Sequence, residues 1–450
     1  MFVEINASHL ASHRKSFPLA SIPSIDEINQ ILSELGVSFR ERIFTPLVTL
    51  YGFLSQVLGD DPSCRRAVVE INAMRHAHNL KACCFNTGSF SKAKMRLPLE
   101  LICRLTKKMA ALGEHAWRHG RVYVVDGSGI SMADTPANQK HFPSHTKNAA
   151  GFPVGHIVAL FSLASGSLVD LAAAPIKGKG NGELTLINRL WDKLKRGDTL
   201  LGDCLYSSFA VVATARSRGC HVVAEYRKKC CWRLRKKRLD QIIRIEKPRI
   251  KPDSLSREVF DSWPDYIDVR IVKLKCAPKG FRVKTKFILT THLTADVTMS
   301  ELLNLYKRRW QVELNLRSIK TVMGMDVLRS RSPEMVVKEI WVYMLAYNLI
   351  RFEMLKSAVE KKIPPEELSF RAAQQLVCAF RALSSCNAGG ANLIWHTLSE
   401  LIASQRVGQR PNRYEPRAIR RRKRNFHTLS LPRKIARGML FKKRKVQAKA

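Results

Sequence analysis

Residues 298–324 read TMSELLNLYKRRWQVELNLRSIKTVMG, and no Pro or Gly interrupts them before Gly324. Thr298 and Glu301 have the spacing of a capping box, and Gly324 suits the left-handed position that ends a helix. The stretch predicts one long helix. At about 100° per residue, Tyr306, Arg309, Glu313, Arg317 and Lys320 fall within an arc of roughly 80°, with Trp310 beside it. Leu305, Val312, Leu316 and Ile319 form a separate apolar stripe for packing. One face then carries a single carboxylate among cations, a phenol and an indole. Arg and Lys bind phosphate, and a carboxylate among them can hold the divalent metal that a phosphate also needs. A solvated helix with a Glu313–Arg317 pair at i,i+4 has the same pattern.

The spacing Tyr306-x2-Arg309-x3-Glu313-x6-Lys320 resembles the Y-R-E-K signature of the DDE transposases of the insertion-sequence-four family. Four residue types agree at three fixed gaps, so the match is specific. The resemblance implies two further aspartates upstream, each at the end of a strand.

The segment upstream meets that expectation. RVYVVDGSGI reads as a buried strand, Val122 to Val125, ending at Asp126 before a Gly-Ser-Gly turn. His156–Leu163 and Leu168–Ala174 are apolar runs separated by Ala-Ser-Gly-Ser, a hairpin signal. Gly182–Leu194 reads as a helix, Thr199–Gly202 as a short strand ending at Asp203, Tyr206–Arg218 as a helix and His221–Glu225 as a strand. A hairpin feeding a strand–helix alternation gives a mixed sheet with helices on its faces. This α/β pattern is compatible with a ribonuclease H-like fold, and open sheets place ligand sites beyond their strand ends. An Asp before a turn is common loop chemistry when taken singly. Asp134, Asp170 and Glu183 are competing acids in the same region, Glu183 standing at a predicted helix start, where acids are favoured in any case.

The resemblance assigns Asp126, Asp203 and Glu313 as catalytic and metal-binding carboxylates, and Gly202-Asp203-x2-Tyr206 resembles the family's second-aspartate motif. Three carboxylates suit a pair of Mg²⁺ ions, with Mn²⁺ able to substitute, acting on a phosphodiester in line. It also implies that Tyr306, Arg309 and Lys320 hold phosphates at the element ends. Arg317 and Trp310 lie beside them as DNA-binding candidates, although Arg317 is outside the four-residue signature. The expected activity is cut-and-paste transposition: binding of terminal inverted repeats, cleavage at the ends and joining to target DNA. Double-stranded DNA is the partner, with a homodimer formed across two ends. A DNA-binding protein of transposase descent without catalysis, and a ribonuclease H-like nuclease acting on RNA, are the rival readings.

Composition agrees with a nucleic-acid partner. The 450 residues include 77 Lys or Arg against 37 acids, a formal net charge of +40 with a pI near 10.2. Such an excess implies a polyanion bound with strong salt dependence. No signal peptide or membrane span is expected, and the eleven cysteines contain no CxxC, which suits reduced thiols in a cytoplasmic, nucleoid-associated protein.

The domain reading is a helical N-terminal region at 1–118 for DNA-end binding, core segments at 119–225 and 299–330, a β-rich insertion at 226–298, a helical subdomain at 331–405 and a basic tail at 406–450. In the first, Thr45-Pro46 and Asp61-Pro62 each open a helix, and another is expected over Leu97–Arg118. In the insertion, IIRIEKPRI, YIDVRIVKL and RVKTKFILTT alternate as antiparallel strands do. Trp232 and Trp263 are its only tryptophans. The resemblance suggests base stacking by one of them, while ordinary packing is open to both. Helices are expected from Ser332-Pro333 to about Ser357, from Pro364 onward and over Asn392–Ser404. The tail carries 17 Lys or Arg and one acid, Glu415.

Overall fold

The structure, a computed structural model, describes residues 25–408 except 78, 111–116, 145–150, 227–233, 235–238, 254, 277–283 and 387–390, together with 431 and 434–439. Among the described residues, five helices come first: α1 (Ile25–Glu34), α2 (Pro46–Leu58), α3 (Cys64–Ala77), α4 (Gly88–Arg96) and α5 (Leu99–Ala110). The Thr45 hydroxyl accepts from the Val48 N–H with Pro46 in the first turn, as the sequence predicts. The helix expected from Asp61 starts later, at Cys64, because the Asp61 carboxylate is occupied by the N–H and hydroxyl of Ser63. The single helix expected over Leu97–Arg118 is also corrected. Leu97 ends α4, α5 runs from Leu99 to Ala110, and Trp117 forms an isolated bridge with Gly120. Residues 111–116 lie outside the described set.

The core begins with β1 (Val122–Met132), a longer strand than expected. Gly127-Ser128-Gly129 does not turn but stays in register with β2 (Val154–Ser162), after the short helix α6 (Pro136–His141). β3 (Leu168–Pro175) completes the antiparallel trio. The Gly182–Leu194 helix is replaced by a one-turn α7 (Glu183–Leu186) and two 3₁₀ turns at Ile187–Arg189 and Trp191–Lys193. Broken in this way, the segment still buries Leu186, Ile187, Leu190 and Trp191 against the sheet. β4 (Thr199–Gly202) follows, then a 3₁₀ turn at Cys204–Ser207, α8 (Phe209–Ser217) and β5 (His221–Glu225).

β4 and β5 run parallel to β1, giving the order β3-β2-β1-β4-β5. This is the ribonuclease H-like arrangement. The insertion adds β6 (Asp240–Glu246), α9 (Arg257–Asp261), β7 (Tyr266–Cys276) and β8 (Lys284–Thr290). Its strands are antiparallel, as their alternation predicts, and they extend the core sheet, because β8 pairs with β5. Trp263 is buried against Phe209 and Phe260, and so packs the interior. Trp232 lies outside the described residues.

The chain returns through α10 (Met299–Lys307), α11 (Trp310–Arg317) and the two-residue β9 (Val327–Leu328), which pairs in parallel with the far end of β1. α12 (Pro333–Glu360) is buried along most of its length. Its Asn348 exchanges hydrogen bonds with both backbone groups of Leu168 and donates to the Thr106 carbonyl, while the Tyr347 hydroxyl donates to the Gly166 carbonyl. These bonds join strand, N-terminal helix and C-terminal helix where an unmade polar contact would be costly. A 3₁₀ turn at Pro365–Glu367 stands where a helix start is expected, before α13 (Phe370–Cys386) and α14 (Ala391–Ser404).

Helices from both ends of the chain thus share one core on one sheet face, and α8 with the turns around Trp191 forms another core on the other. Opposite the Gly202 end of β4, His292 stacks on His221 at 3.8 Å, meets the Trp117 edge and sits 3.0 Å from the Thr199 hydroxyl. Among the described residues, no helix is long and apolar enough to cross a membrane. Most of the basic tail lies outside them.

Candidate active site

Strand register places the first two carboxylates. β1 and β4 pair in parallel at Val122↔Thr199, Tyr123↔Leu200 and Val124↔Leu201. Continuing that register sets Asp126 level with Asp203, one strand spacing of about 4.8 Å away. The ladder with β4 has ended there, and β9 joins β1 only at Ser131. Asp126 therefore lies within β1 and not at its end, but it opens on a gap between β4 and β9. Its carboxylate accepts from the Gly127 N–H at 2.9 Å, and that of Asp203 accepts from the Leu205 N–H at 2.8 Å. Burial pushes the Asp126 carboxyl up to about 6, aided by the charges of Asp203 and Glu183 and opposed by the Gly127 N–H and Arg309.

Glu183 is the acid that sequence reasoning set aside. At the start of α7, it stacks against the backbone of β1 so closely that a methyl group on Gly127 would overlap its carboxylate. His156 on β2 holds it at 3.2 Å. The available signal was Gly127 itself, since a glycine inside a strand often marks a close approach.

The stretch 298–324 departs from one regular helix. The capping box forms as predicted, with the Thr298 hydroxyl accepting from the Glu301 N–H and the Glu301 carboxylate from the Thr298 N–H. Gly324 takes a φ of +84°. Between them, the N–H groups of Arg308, Arg309, Gln311 and Val312 donate to carbonyls three residues back, a 3₁₀ tightening that separates α10 from α11. Ser318–Val322 then widens into a π turn. The uniform 100° step fails here, yet Tyr306 still neighbours Arg309, Arg309 pairs with Glu313, and Lys320 reaches β1 two residues from Asp126.

Tyr306 is buried, its hydroxyl donating to Glu225 on β5 at 3.0 Å beneath the Lys286 ammonium. Arg309 donates to the Glu313 carboxylate at 2.8 Å and also lowers the Asp126 carboxyl, so its charge serves two of the three acids. Lys320 reaches β1, donating to the Ser128 hydroxyl at 2.9 Å and the Gly129 carbonyl at 2.8 Å. Trp310 is 57 % exposed, and Arg317 is exposed as well. Glu225 and Ser128 are thus further site residues that carried no sequence signal.

The carboxylate oxygens suit a hard divalent cation. Among the described residues, no three His, Cys, Asp or Glu side chains are gathered closely enough to hold one ion, and Arg309 occupies Glu313 instead.

Residues 117–349 match the family described as Transposase DDE domain. The chain belongs to the DDE transposases. This transposase is 28% identical over 352 residues to the transposase InsG for insertion sequence element IS4 of Escherichia coli (strain K12), a span of 74% of this chain and 76% of that one. It falls with the insertion-sequence-four group. Among solved structures, it aligns with the piggyBac transposase of a synaptic complex with hairpin DNA, determined by cryo-EM. That alignment has a TM-score of 0.45 and 9% identity, covering 91% of this chain and 87% of the other.

Proposed function

We propose that this DDE transposase cleaves DNA at the ends of its element and joins the freed 3′-hydroxyls to target DNA, using Asp126, Asp203 and Glu313 to hold divalent cations, Mg²⁺ in the first instance. The register that levels Asp126 with Asp203 across β1 and β4, with the Asp126–Arg309–Glu313 charge chain beside them, carries this reading. A divalent cation bound there would supply Lewis-acid polarisation of the scissile phosphate and activation of the attacking hydroxyl. The protein contributes the rest. Asp126 and Asp203 present oxygen donors from adjacent strands. Arg309 orients Glu313 through their ion pair. Lys320, anchored on β1, sets the helix against the strand, and the exposed Trp310 and Arg317 offer a stacking plane and a charge to a DNA backbone. Tyr306 acts through its Glu225 bond as a buried support. The N-terminal helices serve DNA-end binding, and two copies act across paired ends.

The test is DNA carrying the element's flanking sequences, incubated with Mg²⁺ and either the wild type or Glu313→Gln, with strands resolved on a denaturing gel. End-specific cuts are expected from the wild type alone, with DNA binding nearly equal in both. Equal cleavage by the variant would remove Glu313 from the cation site.

A further inference from the structure

Glu225 is the third acid of a row. β4 and β5 pair in parallel at Gly202↔Ala224, so continuing that register sets Glu225 level with Asp203, as Asp203 is with Asp126. Val124, Leu201 and Val223, two residues before these acids, are buried in the core that also holds Tyr306 and Val312. Side chains two apart on a strand point the same way, so the three acids stand on the sheet face that α10 and α11 cover.

Glu225 is held there by side chains. One carboxylate oxygen accepts from the Tyr306 hydroxyl at 3.0 Å and from the Lys286 ammonium at 2.7 Å. Lys286 comes from the insertion: β8 pairs with β5 at Glu225↔Ile288, and Lys286, two residues from Ile288, faces the same side. Its ammonium also lies over the Tyr306 ring, 5.5 Å from the centroid. Beyond Tyr306, the Arg309 N–H donates to the Tyr306 carbonyl at 3.1 Å, and a 3₁₀ step of this kind brings side chains i and i+3 into line. Arg309 in turn holds Glu313 at 2.8 Å.

We infer that Lys286 is a positioning residue for DNA cleavage, which balances the charge of Glu225 so that Tyr306 stays fixed beneath the site and Arg309 stays with Glu313. This rests on the cation site proposed above. Without the ammonium, the negative charge of Glu225 pulls harder on the side chains that remain, and the Tyr306–Arg309 step lies on that side. Arg309 then has two carboxylates to serve, and Glu313 loses its fixed orientation. The insertion thereby does more than widen the sheet: through one lysine of β8 it sets the geometry of a glutamate on α11.

The test is single-turnover cleavage of DNA carrying the element's flanking sequences, by saturating full-length protein with Mg²⁺. Lys286→Met is expected to slow cleavage about ten- to a hundredfold, the scale of a small displacement of a catalytic group. Its melting temperature, and its DNA affinity by fluorescence anisotropy, should stay at wild-type values, which separates positioning from folding and from a phosphate contact. Adding Glu225→Gln to Lys286→Met removes the unbalanced charge and should recover most of the rate, and Lys286→Arg should retain it. Wild-type cleavage by Lys286→Met, a loss that Glu225→Gln does not recover, or a loss matched by weaker DNA binding would each overturn the assignment. Glu313→Gln is the control. If it cleaves like the wild type, the cation site falls and Lys286 with it. If it is inactive while Lys286→Met is normal, the assignment of Lys286 alone falls. Lys286→Gln, which keeps a donor but not the charge, serves where Lys286→Met does not fold: slower cleavage with unchanged DNA binding supports the assignment, and an unchanged rate overturns it.

Discussion

His292 shows how burial turns one side chain into a pH-dependent term. Packed on His221 and Trp117 and almost wholly shielded from solvent, it is held neutral: burial, then the neighbouring histidines, bring its pKa down to about 3 from an ordinary 6.5. The unfolded chain takes up that proton first as pH falls. The stability from a neutral His292 is therefore complete above pH 6.5 and is lost as pH drops towards 3, at about 1.4 kcal/mol per unit. Urea denaturation at pH 7 and pH 5 should show wild type losing on the order of 2 kcal/mol more than His292→Gln. Equal losses would mean that this histidine is protonated in the folded protein. Single residues were unevenly legible in the sequence. Asp126 and Asp203 stood out because each follows a buried apolar run. Glu183 did not, because its place beside β1 comes from contact with Gly127 across the chain and not from its neighbours.

At the scale of elements, local chemistry was legible and accumulated geometry was not. The Thr45–Pro46 and Thr298–Glu301 caps formed as read, because a cap depends on three or four adjacent residues. The run after Thr298 was helical as read, but its hydrogen bonds slip to i−3 at Arg308–Arg309 and to i−5 by Met323, and each slip rotates everything beyond it. Tyr306 donates to Glu225 and stays beside Arg309, which pairs with Glu313. The Gly-Ser-Gly after Asp126 has turn-favouring composition, yet pairing with β2 keeps it extended. Removing the Thr298 cap by Thr298→Ala should cost about 1 kcal/mol in denaturant unfolding. A change below a few tenths would mean that packing of Leu302 and Leu305 alone fixes the start of α10.

For the whole molecule, the charge of +40 sets how it meets DNA. Affinity for nonspecific duplex should fall steeply with salt, with the logarithmic slope lessened by about 0.9 for each phosphate contact removed. Deleting residues 409–450, which hold 16 Lys or Arg against Glu415, should flatten that slope in fluorescence-anisotropy titrations. An unchanged slope would assign the contacts to the folded body. The sheet-and-helix class was legible from composition and periodicity. That the insertion extends the same sheet was not, because pairing between β5 and β8 is a choice of partner that alternation does not encode.

That sheet closes in an order with a bearing on synthesis. β1 emerges early from the ribosome, but its partner β9, the glutamate on α11 and the long helix α12 that covers the sheet come after the insertion. A nascent chain stopped before them has two aspartates in place and an apolar sheet face uncovered. Lacking the proposed third carboxylate, it is expected not to cut DNA and to be prone to aggregation or capture by chaperones. On the proposed assignment of Glu313, activity is expected only once translation has passed the end of α12 at Glu360, so products truncated before it are expected to be inert.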